Sequence, residues 1–289
     1  MIDSSVDASP LLPPDSSAWL GRTLALSCGL WHGAADLDAA QLGKYRLLAD
    51  WARITAHVRV LDVGSGHGGM LRHVSDECGV TSACGIDSSG EACQAVMRLG
   101  LPGVRTYHGD YRGFAPDRPY DVVVSIGLLE NVAGPLEAAR QPDICAEFFA
   151  LAHAWTAPGA RLVLETTISG HQSDWPPEAS RYLEAMRRLG LSGALLSLDR
   201  LLATCGQWWE PIHVRTHRDD YARTFSDWAR RLRALPRTVQ DSTLADWLEF
   251  TTNGAVLFRH GALSVAHLGL RRIDCSGARF PRSPAAGSR

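Results

Sequence analysis

The segment Val60-Leu61-Asp62-Val63-Gly64-Ser65-Gly66-His67-Gly68-Gly69 joins a short apolar run to an acid and a cluster of glycines. Glycines let a chain turn sharply out of a strand and bring bare backbone against a ligand at the start of a helix. Gly64, Gly66 and Gly69 satisfy the G-x-G-x-x-G spacing of a dinucleotide site, whereas Asp62 taken with Gly68 makes D-x-G-x-G-x-G. Further acids follow in Gly85-Ile86-Asp87-Ser88-Ser89, in Gly109-Asp110-Tyr111 and in Ser125-Ile126-Gly127-Leu128-Leu129-Glu130-Asn131-Val132. A carboxylate at the end of a second strand can accept both hydroxyls of a ribose. One placed where a cation develops can stabilise it and take a proton from it. Each acid alone fits a surface cap or turn equally well; the set in this order does not.

The D-x-G-x-G-x-G segment resembles motif I of the class I methyltransferases that bind S-adenosylmethionine (SAM). Asp87 and Asp110-Tyr111 stand where those enzymes hold the ribose and the adenine amino group. The resemblance implies cofactor contacts from Ser27, Asp62, Gly64, Ser65, Gly66, Asp87, Ser88, Asp110, Tyr111 and Ser125. It favours SAM over NAD, although Asp87 alone would serve either.

A closer resemblance lies outside that shared core. Leu26-Ser27-Cys28-Gly29-Leu30-Trp31 with Leu37-x-x-Ala40-Gln41-x-x-Lys44, the Ser125 to Val132 stretch, and Tyr221-x-x-Thr224-x-x-x-Trp228 are similar to segments of the cyclopropane fatty acid synthase and mycolic acid cyclopropane synthase family. Phe258-Arg259 through Leu270 is similar to its closing helix and strand, so the likeness runs from about Thr23 to Arg272. In that family a bicarbonate sits beside the reacting carbon, and the implied counterparts around it are Cys28, Glu130, Ile168 and Tyr221. The family's His-Thr-Ile run is Thr166-Thr167-Ile168 here, its Glu-His pair is Glu130-Asn131, and the tyrosine before Ser27 is Leu26. These departures leave the cofactor site intact and predict chemistry with weak or no dependence on bicarbonate. The catalytic candidates are Glu130, Tyr221 and Cys28. Cys28 fits a small buried core residue as well as a site, and Tyr221 on an amphipathic helix is open between the two.

Positioning these residues requires strands and helices in alternation. Apolar spacing predicts a helix over Asp36 to Ile54, then strands at Val58 to Val63, Ser82 to Ile86, Val104 to Tyr107, Asp121 to Ile126 and Arg161 to Thr167. Helices are expected between them at Met70 to Cys78, Glu91 to Leu99 and Ile144 to Trp155, with a turn at Ala157-Pro158-Gly159-Ala160. Strand-like runs at Pro211 to His217 and Ser264 to Leu270 are separated by helical stretches at Asp219 to Leu235 and Asp241 to His260. The fold class is α/β: a doubly wound, Rossmann-like, seven-stranded sheet with an inserted helical cap at about residues 170–205. A disordered arm is expected at 1–17, one methyltransferase domain at 18–275 and a disordered tail at 276–289.

The composition is that of a globular chain: 289 residues, 45% hydrophobic, with 29 basic against 31 acidic side chains. That balance disfavours a general nucleic-acid or anionic-membrane binder, and no apolar run approaches the roughly 20 residues needed to span a bilayer. Seven scattered cysteines without a C-x-x-C pair, in a chain with no leader pattern, read as reduced thiols of a cytoplasmic protein. His213 and His217 lie on one strand too far apart to share a metal, and none is expected. Trp175, Trp208, Trp209, Trp228 and Trp247 fall in the half that builds the cap, as core or as the lining of an apolar acceptor pocket. The expected partners are a small apolar metabolite and, at most, a second copy of the chain. The leading function is methylation of an alkene or other electron-rich carbon. Methylation of an amine, cyclopropane synthesis on a lipid, and a SAM-binding cyclase without methyl transfer stand as alternatives.

Overall fold

The computed structural model describes residues 16–274, apart from 134, 173, 192 and 236–241. The expected tail and residues 1–15 of the expected arm therefore lie outside the described residues, as does Cys275. Ser17, placed in the arm by the sequence, instead opens a short helix, α1 (Ser17–Leu20).

Helix α2 (Leu37–Ala52) starts where the Asp36 carboxylate accepts the Ala39 N–H at 2.8 Å, and it stops at Arg53 in the left-handed region. It leads to β1 (Val60–Val63), buried along its whole length, as a strand covered on both faces must be. Then come α3 (Gly69–Asp76), β2 (Ala83–Asp87), α4 (Gly90–Arg98), β3 (Val104–His108) and β4 (Tyr120–Ile126). After these the chain forms α5 (Gln141–Ala154), β5 (Thr156–Ser169), α6 (Ala179–Arg188), α7 (Leu198–Cys205) and β6 (Trp209–Thr216). It closes with α8 (Arg218–Ala234), α9 (Ser242–His260) and β7 (Leu263–Arg272).

The seven strands form one sheet in the order β3-β2-β1-β4-β5-β7-β6. Strands β1 to β5 are parallel, with α3, α4 and α5 in the crossovers and only a short 3₁₀ turn between β3 and β4, while β7 runs antiparallel between β5 and β6. The strand order reverses between β1 and β4, and ligands of open α/β sheets bind in the crevice outside the strand ends at such a point. The expected turn at Ala157 to Ala160 is an irregularity within β5. Thr156 pairs with Tyr120 and Arg161 with Val122, and the residues between step out of that ladder around Gly159 at φ +79°.

The helical cover is wider than residues 170–205. Helix α6 packs on α9 and α9 on α8, whereas α7 lies against α5 elsewhere in the molecule. Its core is aromatic: Trp19, Phe225, Trp228, Trp247, Phe250 and Phe258 are all buried and in mutual ring contact. Among the described residues no helix is long and apolar enough to cross a membrane.

Candidate active site

A cavity of about 1080 Å³ opens at the carboxyl edge of the sheet. One wall comes from strand ends and the turns after them: Asp62, Gly64, Ser65, Gly66, Asp87 and Ser88. Gly64 and Gly66 have φ of +78° and +50°, so the turn out of β1 needs residues without a Cβ, and at Gly66 the space beyond is open. Asp87, at the end of β2, ties this turn to the next: its Oδ2 accepts the Gly66 N–H at 2.8 Å and its Oδ1 the Ser89 N–H at 2.9 Å. Ser65 Oγ is buried without a partner. The Asp62 carboxyl is pushed up to about 7, by burial first and by the Asp87 charge second, against the pull of Lys44.

The opposite wall is helical and mostly apolar, with Tyr182 and Met186 of α6, Tyr221, Phe225 and Trp228 of α8, and Phe250 of α9. Trp175 and Leu183 also line the cavity and are exposed. Of the other C-terminal tryptophans, Trp209 and Trp247 are fully buried core, and Trp208 packs against the core beneath α7.

Glu130 also lines this cavity, just beyond the end of β4. Its Oε2 accepts from Thr166 Oγ1 at 2.8 Å, and its Oε1 accepts from the Thr167 N–H and Oγ1, both at 3.2 Å. Burial lifts this carboxyl above its ordinary range against the pull of those hydrogen bonds. Thr166 and Thr167 thus fix the carboxylate while leaving it in contact with the cavity. Burial also raises the hydroxyls of Tyr182 and Tyr221, so both stay neutral phenols.

Ser27 and Tyr221 line the cavity with the residues above. Five others named from the sequence do not. Cys28 is fully buried behind the wall, its thiol raised by burial and placed 3.4 Å from the Gly29 carbonyl oxygen. Asp110 caps a short 3₁₀ turn by accepting the Arg112 N–H at 2.9 Å, and Tyr111 swings inward to meet Phe148 edge-on. Ser125 is buried on β4 with its hydroxyl unpartnered. Ile168 is likewise core. His213 stacks on Trp51 and His217 lies beside His267, so the two histidines have separate surroundings. Among the described residues no group of three His, Cys, Asp or Glu is placed to hold a metal.

The structure also brings together residues to which sequence reasoning gave no role in the site. Glu165 on β5 is buried; its Oε1 accepts the Cys28 N–H at 2.8 Å and its Oε2 pairs with His267 Nε2 at 2.6 Å. Lys44 Nζ lies 3.9 Å from the same carboxylate and donates to Ser27 Oγ. The available signals were an acid inside the apolar run Leu162 to Ile168 and the chain's single lysine.

The sequence matches the family described as mycolic acid cyclopropane synthetase over residues 16–268. It is 28% identical over 269 residues to a Mycobacterium tuberculosis protein named "Probable fatty acid methyltransferase", covering 89% of this chain and 60% of that protein. It is 31% identical over 121 residues to the cyclopropane-fatty-acyl-phospholipid synthase of Escherichia coli K12, covering 41% of this chain and 30% of the relative. The chain thus spans about 60% of the length of the mycobacterial relative and less of the other. The solved cyclopropane synthase MmaA2 of M. tuberculosis superposes with a TM-score of 0.81 at 21% identity, covering 92% of this chain and 96% of that one. The chain therefore belongs to the mycolic acid cyclopropane synthetase family.

Proposed function

We propose that this protein moves a methyl group from SAM to an alkene or other electron-rich carbon of a small apolar acceptor. The observation that carries the reading is the Glu130 carboxylate, fixed by two threonines in a cavity whose facing wall is aromatic.

The strand-end wall suits a ribose-bearing cation. Asp87 offers its carboxylate to ribose hydroxyls while the Gly66 and Ser89 amides hold it in place. Asp62 is a buried acid that gains by meeting a positive group, and the unpartnered Ser65 hydroxyl and the open floor at Gly66 give that group room. When bound, SAM supplies an electrophilic methyl.

The remaining chemistry falls to the chain. As the alkene π pair forms the new carbon–carbon bond, the methyl–sulfur bond would break with its electron pair left on sulfur, giving S-adenosylhomocysteine, and a positive charge would appear on the neighbouring acceptor carbon. Glu130 meets that charge with a preorganised negative one, and Tyr182, Tyr221 and Phe225 supply aromatic rings to the same cavity. Loss of a proton to Glu130 then leaves a methylated or methylene product, and burial favours the protonated form of that carboxyl.

Size supports a small acceptor. Pockets for a single ligand run to roughly 300 to 1,000 Å³. About 1080 Å³ shared between cofactor and acceptor leaves modest room for the second. Thr166, standing where the family's run carries a histidine, supports a reaction that proceeds without bicarbonate.

The test is incubation with ¹³C-methyl SAM and a panel of isoprenoid or polyene alkenes, a monounsaturated phospholipid and tertiary amines, with NMR location of the label. Label on an alkene-derived carbon of a small acceptor, unchanged by added bicarbonate, is expected. Label on nitrogen, or a lipid cyclopropane whose yield rises with bicarbonate, would overturn the reading.

A further inference from the structure

The only lysine of this chain is wholly buried, within 3.9 Å of a buried glutamate. Taking two charges out of water costs more than their attraction commonly returns, and a well-packed apolar pair would stabilise a fold as well. What distinguishes Lys44 and Glu165 is where their hydrogen bonds go. Lys44 Nζ donates to Ser27 Oγ, and Gln41, nearly one turn earlier on α2, donates to the Ser27 carbonyl oxygen at 2.8 Å. Glu165 takes the next amide, Cys28 N–H, and is itself held from the neighbouring strand by His267, its register partner on β7. Three side chains from two elements thus grip two consecutive residues of a segment that has no regular structure.

That segment, Thr23 to Cys28, crosses the strand-end wall of the cavity. The Thr23 carbonyl would lie 3.1 Å from a Cβ placed on Gly69, and the Leu26 carbonyl 3.8 Å from one on Gly127. Thr23, Leu24, Ala25, Leu26 and Ser27 all line the cavity beside Asp62 and Gly64. Leu24 has φ +51°, a conformation that a leucine keeps only where its surroundings over-determine it. Burial pulls the Lys44 ammonium down and Glu165 and Asp62 pull it up, so its charge couples the strap to the acid in the cavity wall. On Glu165 the burial cost is outweighed by Lys44 and His267, and the carboxyl stays below its ordinary range.

We propose that Lys44 and Glu165 are positioning residues that clamp the Thr23–Cys28 strap over the strand-end wall of the cavity and thereby set how tightly the cofactor is held. This rests on the reading of that wall as the SAM site. The clamp acts at equilibrium through Ser27 and the Cys28 amide, with neither charge touching the reacting atoms.

The test measures the affinity of S-adenosylhomocysteine by calorimetry, alongside thermal melts and amide hydrogen exchange, in the full chain. Lys44→Met/Glu165→Leu should fold with a melting temperature near that of the wild type, yet bind at least 10-fold more weakly, and amides 23–28 should exchange faster while β1 and β4 keep their protection. Lys44→Met alone should weaken binding in the wild-type background and have less than about a third of that effect, in logarithmic terms, when Ser27→Ala is already present. If the double variant does not fold, Gln41→Leu removes one grip on Ser27 without touching a charge and should still weaken binding and speed strap exchange. Unchanged affinity and unchanged strap exchange in folded variants, or an equal effect of Lys44→Met with and without Ser27, would overturn the clamp. A wild-type chain that fails to bind S-adenosylhomocysteine would instead overturn the cofactor reading, and strap exchange in the variants would still decide the clamp.

Discussion

Asp62 is a carboxyl whose ordinary value of 3.8 is raised to about 7, and the direction fixes how it couples to pH. An acid with a raised folded value favours its protonated form in the native state. Its contribution to stability is therefore fully present below the unfolded value and is lost as pH climbs through about 7. At 1.36 kcal/mol per unit this amounts to something on the order of 4 kcal/mol in the ligand-free protein. A cationic ligand group reverses the preference, because it binds the ionised form. Affinity for S-adenosylhomocysteine should accordingly rise by up to about tenfold per pH unit between pH 5.5 and 7, with proton release detectable in buffers of different ionisation enthalpy. In Asp62→Asn that pH dependence should be absent. A wild-type affinity flat across the same interval would remove Asp62 from the ligand.

At the scale of elements, the acceptor wall depends on helices α8 and α9 meeting closely. They do so at Gly254, where a Cβ would press into the Phe225 ring. Phe225 in turn touches Tyr221, Trp228, Phe250 and Phe258 and lines the cavity. Phe225→Ala should cost about 3 to 5 kcal/mol in urea unfolding, the usual range for a buried phenylalanine. The lost ring would also enlarge the acceptor space, so bulkier acceptors should gain on smaller ones in relative kcat/KM. A stability change under 1 kcal/mol would mean that the α8–α9 contact does not depend on this ring. The cover was only partly legible in the sequence. The sequence marked a helical cap at about residues 170–205, but no local pattern tells which helices pack together, and α6 finds its partner in α9 more than fifty residues later.

Across the whole molecule, what the sequence revealed was what local spacing can encode. The glycine turn, Asp87 at a strand end and Glu130 beyond the fourth strand are read from neighbours a few residues away, and all three reach the cavity. Asp110 and Tyr111 sit at a comparable strand end but do not line it, because Asp110 spends its carboxylate on capping a turn whose next residue packs inward. The clamp of Lys44, Glu165 and His267 stayed hidden because its members come from α2, β5 and β7 and meet only when the sheet is assembled. On the proposed reading the molecule divides its labour: strand ends and strap face the cofactor, while Glu130 and the helical cover face the acceptor. That division is the central claim, and Glu130→Gln tests it most directly, with single-turnover methyl transfer measured beside S-adenosylhomocysteine affinity. A group that acts in the transition state should lower the rate about 100-fold or more when neutralised and leave cofactor affinity within about threefold. A Glu130→Gln enzyme of normal rate, or one whose loss of rate is matched by an equal loss of cofactor affinity, would contradict the account.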